Sequence, residues 1–146
     1  MEATKAKTHA VVHRPAIADI EEGITRMLER AEKDPSFRGD AIRTYAGLIA
    51  DVFANSKFDE ARKEVILEPA SLRRIGIAFG NMSGLFKPDA NSVERLGAIR
   101  NGLDKFCQQT DYQSSVAIPV GQFPDLMEAL AKMTKVFGTE AKISYL

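Results

Sequence analysis

Three glycines at four-residue intervals, Gly76, Gly80 and Gly84, interrupt the most apolar stretch of this 146-residue chain. They restrict what the chain can fold into more than any other feature. Around them Leu72, Ile75, Phe79, Met82 and Phe86 follow helical spacing within an arc of about 80°. The glycines form a bare strip beside that stripe, Ile77 widens the apolar sector, and Arg74 and Asn81 mark a wet side. A helix so apolar around its circumference belongs at the centre of a bundle. Each interior glycine costs about 0.8–1.0 kcal/mol relative to alanine, so three give up roughly 2.5 kcal/mol. Close approach of a neighbouring backbone offsets such a loss. That neighbour is either another helix of the same chain or a second copy, and a kink is the third reading. The spacing is neither that of the dinucleotide fingerprint nor that of the P-loop.

The flanking segments read as ordinary amphipathic helices. Ile17, Ile20, Ile24, Met27, Leu28 and Ala31 share one face of a helix that should end near Asp34-Pro35. A second helix covers about 38–54, with Ile42, Tyr45, Leu48, Ile49, Val52 and Phe53 on one side. Ser56, with Asp59 three residues on, suggests a short third helix through Leu67, closed by Glu68-Pro69. The glycine-bearing helix follows at about 70–86, and a fifth spans about 89–109 through Val93, Leu96, Ile99, Leu103, Phe106 and Cys107. Pro124 opens the last helix and Gly138 is a suitable residue to close it. Between them the 115–120 segment reads as a short strand, with 142–146 as its candidate partner. The expected fold is therefore all-α: a compact bundle of five to six helices around the glycine-bearing one, with at most a minor strand pair. The polar segment 1–14 reads as a flexible arm and 15–146 as a single helical domain.

Twenty basic and twenty acidic residues cancel, which argues against broad attraction to nucleic acid or an anionic membrane. No run approaches the roughly 20 apolar residues of a membrane span, and the first residues lack the apolar core of a signal peptide. A cytoplasmic location is the expectation. One cysteine, Cys107, excludes an internal disulfide and multi-cysteine zinc sites.

Chemistry-bearing constellations are sparse. His9 and His13, the only histidines, are spaced i,i+4 but lie in the polar arm with no acid between them. Cys107 falls on the inner face of its helix, as a small buried hydrophobe would. Arg100, at the edge of the same stripe, has Asp104 one turn on to pair with. Asp51 and Glu64 are carboxylates that folding can bring together, although nothing in their spacing selects them. No residue is assigned as catalytic, cofactor-binding or metal-binding. Arg73 and Arg74, cations at a helix start where the dipole does not favour them, join Gly76, Gly80 and Gly84 as the candidate interaction residues. The leading expectation is a non-catalytic module that binds another protein or itself. One alternative is a DNA-binding regulator, with Lys87-Pro88 as the turn of a helix-turn-helix and Arg95, Asn101, Lys105 and Gln108 exposed on the helix that follows. The other is a pocket for a small apolar ligand or cofactor between helices.

Overall fold

Pro15 near the start of the first amphipathic repeat and the Asp34-Pro35 step after it delimit helix α1, Arg14–Lys33. The computed structural model describes residues 9–10, 14–86, 89–109, 115–139 and 141–146. Ile17, Ile20, Ile24, Met27 and Ala31 of α1 are all fully buried. Asp34 caps a 3-10 turn, Pro35–Arg38, by accepting from the Ser36 amide at 3.1 Å. Helix α2 runs Asp40–Ala54, α3 Pro69–Met82, α4 Ala90–Gln109 and α5 Pro124–Phe137. Gly138 adopts the left-handed conformation (φ 63°), and the Thr139 amide donates back to the Thr134 carbonyl at 3.2 Å. Both features belong to the glycine helix stop expected there.

A mainly α-helical architecture with a minor β component is thus what the chain forms, and α3 packs most extensively against α4. The β component differs from expectation in two places. Residues 57–67 do not continue as a helix. They form a hairpin of β2 (Lys57–Asp59) and β3 (Glu64–Leu67), reversed through a turn in which Lys63 is left-handed at φ 55°. Ser56 does not open a helix either: its hydroxyl donates to the Phe53 carbonyl at 2.6 Å and closes α2. Asp59 instead holds the turn, accepting from the Arg62 amide at 3.2 Å. What selects the strand is distant in sequence. Val65 and Leu67 pair with Ile118 and Val116 of β4, Ser115–Pro119, and all four are buried. Such buried aliphatic pairs across a ladder outweigh a weak local helix preference.

The second difference is the partner of β4. It lies antiparallel to β3, and its other edge carries the two-residue parallel strand β1, His9–Ala10, giving the order β1-β4-β3-β2. The 142–146 tail does not pair with it. Ile143 is buried, and Tyr145 stacks on Phe58 of the hairpin (5.2 Å between centroids, 13° between planes). The Tyr145 hydroxyl donates to the Phe53 carbonyl at 3.1 Å. An aromatic side chain, not a ladder, is what anchors the tail.

Two outcomes follow from these contacts. Lys63→Gly should raise stability by about 0.5–1 kcal/mol in urea unfolding, because glycine accepts the left-handed turn without Cβ strain. A loss of stability would show that the Lys63 backbone is not under that strain. Burial pushes the Tyr145 hydroxyl from 10.0 up to about 12, against a smaller opposing pull from the Ser56 hydrogen bond. The unfolded chain therefore releases this proton first. The stability that Tyr145 contributes is complete below its unfolded value and is lost as pH rises through its folded one. Unfolding measured from about pH 8 to about pH 12 should show the advantage of wild type over Tyr145→Phe shrinking with pH. An advantage that stays constant would contradict the assignment.

Candidate functional site

The glycine strip divides between two environments. A Cβ at Gly76 would stand 3.3 Å from Leu103 Cβ and 3.5 Å from the Arg100 carbonyl oxygen, both on α4. One at Gly80 would stand 2.5 Å from Cδ of Arg100, whose stem lies across that position. The close neighbour of these two glycines is thus a helix of the same chain. Gly84 has left the α-helix for the 3-10 turn Ser83–Phe86, is exposed, and has no atom within 4 Å of its Cβ position. Arg73 reaches Asp104 on α4 (Nε to Oδ1, 3.1 Å), and Arg74 is exposed. Of the five candidate interaction residues, three face α4 and two, Arg74 and Gly84, face outward.

Two further glycines, not singled out by spacing, make the same kind of contact. A Cβ at Gly23 of α1 would overlap the ring of Phe79, and one at Gly102 of α4 would lie 2.9 Å from Asp19 Oδ2. Sequence reasoning missed them because each occurs alone, and its meaning depends on a side chain from another helix.

The remaining singled-out residues scatter. Cys107 is buried and its thiol donates to the Pro69 carbonyl at 3.3 Å. Burial pushes that thiol up and outweighs the opposing charge of Arg73, the reverse of what a nucleophile needs. Asp51 lines a cleft of about 560 Å³ with Asp40, Thr44 and Thr139, whereas Glu64 stands on β3 opposite Pro119 and does not line it. His9 contributes its backbone to β1. His13 and the Lys87-Pro88 turn lie outside the described residues.

A larger concavity lies between α1 and α5, a groove of about 630 Å³. Its floor is apolar: Leu28 from α1, with Ala129 and Val136 from α5. Its rim is acidic. Glu21, Glu29 and Glu32 rise from one wall, Asp125 and Glu128 from the other. Among the described residues that line the groove, two cations, Arg38 and Lys132, stand beside these five carboxylates, and Lys132 is drawn to Glu128 at 3.4 Å. Burial raises the Glu21 carboxyl above its ordinary value, and the charge of Asp125 pushes it further in the same direction. The lining residues recur at three- and four-residue steps along each helix, so one stripe of each faces the groove.

The opposite flank of α1 has the reverse character. Glu22 accepts from Arg26 (3.3 Å) and from Arg95 Nε of α4 (2.9 Å). Burial pushes the Glu22 carboxyl up, but these hydrogen bonds prevail and hold it below the usual range. Arg26 continues to Ser92 at 3.5 Å, and the Ser92 hydroxyl donates to Asp89 at 2.7 Å, beside the start of α4. Here acids and bases are matched, and they tie two helices together.

Comparison with protein-family models, curated proteins and solved structures finds no match for this chain. Among the described residues no helix is long and apolar enough to cross a membrane, and no group of three or more His, Cys, Asp or Glu side chains can hold a metal ion.

The close contacts are checked by paired substitutions. Gly23→Ala should destabilise by roughly 1–3 kcal/mol, since the buried Phe79 ring cannot move aside cheaply. Gly97→Ala on α4, where the Cβ position is open, should stabilise by about 1 kcal/mol through helix propensity alone. Equal effects in thermal unfolding would contradict the packing described for Phe79.

Proposed function

We propose that this chain is a non-catalytic helical module that works by binding another protein, and that the groove between α1 and α5 is its docking surface. The groove itself carries this reading. It joins an apolar floor to a charged rim on two helical walls, the form in which helical proteins receive a partner segment. Leu28 and Val136, partly buried beside the buried Ala129, supply apolar area to remove from water, and the rim supplies orientation and partner choice. Its walls are regular helices, so the surface is largely pre-formed and association need not order it.

Self-association through the glycine strip, the other version of an interaction role, draws less support, because α4 occupies the strip at Gly76 and Gly80. A two-fold contact through the groove would set its acidic rim against itself, at an electrostatic cost. The DNA-binding alternative gains nothing from a surface whose carboxylates repel phosphate.

The test places a photo-crosslinking phenylalanine analogue at Glu32 or at Glu128, one on each wall, and at Glu94 of α4 as the comparison. In the native cell, both groove positions should yield an adduct of one and the same size, absent from the Glu94 protein. No adduct from either wall, or the same adduct from Glu94, would overturn the assignment of the groove.

A further inference from the structure

We infer that the occupant of the α1–α5 groove is a basic amphipathic helix of about three turns, belonging to a different protein. This inference rests on the interaction reading above and adds the chemistry of the partner.

The length follows from the walls. Glu21 to Glu32 on α1 and Asp125 to Val136 on α5 each extend about 16 Å at 1.5 Å per residue. A segment lying along both walls therefore makes about three helical turns. Three turns present apolar residues at i, i+4 and i+7, which suit a floor made by Leu28, Ala129 and Val136.

The sign of the partner follows from charge. The whole chain is formally neutral, yet five carboxylates and two cations line this one groove. Of the α1 cations, Arg26 is directed to Glu22 and Ser92 and Arg30 towards Asp34 and over the Phe37 ring, and neither lines the groove. Burial and then the nearby charge of Asp125 both oppose ionisation of Glu21, and a cation placed at the rim favours it. Lys or Arg residues flanking an apolar stripe on a helix meet both requirements, floor and rim. A second copy of this chain, docking symmetrically, would bring carboxylates to carboxylates.

The experiment uses the purified full chain as bait for a displayed library of helix-forming peptides. Their apolar stripe is fixed at i, i+4 and i+7, and their polar positions are randomised among Lys, Arg, Glu, Gln and Ser. The expected selection enriches Lys and Arg at the polar positions. Synthetic versions of the enriched peptides should lose about tenfold or more in affinity against Glu29→Lys/Glu128→Lys, both positions being exposed. They should bind Glu60→Lys/Glu94→Lys, an equal charge change elsewhere, within about threefold of wild type. Enrichment of neutral or acidic peptides, no enrichment, or equal losses for the two double variants would overturn the inference. So would spermidine competing as well as the peptide, since charge alone would then account for binding. If crosslinks form at Glu32 and Glu128 but basic helices are not selected, the partner chemistry is wrong and the groove assignment stands. If the crosslinks fail, the groove assignment falls with it.

Discussion

Helix α3 buries one face, leaving Arg73, Arg74, Ile77 and Asn81 exposed on the other, and glycine is what lets neighbouring side chains settle close to it. Leu103 of α4 settles over Gly76, and the ring of Phe79 settles over Gly23 of α1. Leu103 and Phe79 are both fully buried as a result. Each glycine costs about 1 kcal/mol of helix propensity. Full burial of a leucine or phenylalanine returns about 1.5–3 kcal/mol, so each exchange is favourable on its own. One contact joins α3 to α4 and the other joins it to α1. The rest of the core, including Phe37 set edge-on to Phe86 at 4.8 Å, builds outward from that triple junction.

What sequence revealed, and what it hid, follows from the range of the interaction concerned. The α1 stripe is legible because Ile17, Ile20, Ile24, Met27 and Ala31 repeat with the helix period and need no knowledge of a partner. Gly138 is legible because a left-handed helix stop is a local demand. The 57–67 hairpin is not. Its short apolar run Val65-Ile66-Leu67 fits helix and strand alike, and β4, which decides between them, lies about fifty residues away. The β4 strand was itself legible, yet its partner was not, because Tyr145 is free to satisfy the tail by stacking on Phe58 instead. For the candidate surface, periodicity and the cost of glycine drew attention to Gly76 and Gly80. Those contacts proved internal, while the groove went unseen, because its walls come from segments a hundred residues apart.

Helix α1 shows how a formally neutral chain makes a surface of one sign. Three stripes run along it. Ile20, Ile24, Met27 and Ala31 enter the core, Asp19, Glu22 and Arg26 meet α4, and Glu21, Leu28, Glu29 and Glu32 face α5. Charge balance is met on the middle stripe, where Arg95 arrives from α4 to share Glu22 with Arg26. Every cation used there is unavailable to the third stripe. Joining α1 to α4 thus takes Arg26 away from the α5 side.

That coupling separates the groove from an ordinary solvated helix face. Exposed charges on an isolated helix are free to rotate among i,i+3 and i,i+4 partners, and their field averages out. In α1 the buried stripe fixes the helix rotation, and the Glu22–Arg95 contact holds its opposite flank against α4. Glu21, Glu29 and Glu32 are consequently held on one side, towards α5, where Asp125 and Glu128 add to the same field. At physiological salt that field extends about 8 Å, roughly the spacing of packed helices, so all five carboxylates act on anything lying in the groove. The floor beneath them is apolar and excludes the counterions and water that would otherwise screen them from below. A fixed, one-sided field over an apolar trough is a surface that discriminates by charge and rewards shape. Both properties trace back to the packing of α1 against α4 and α5.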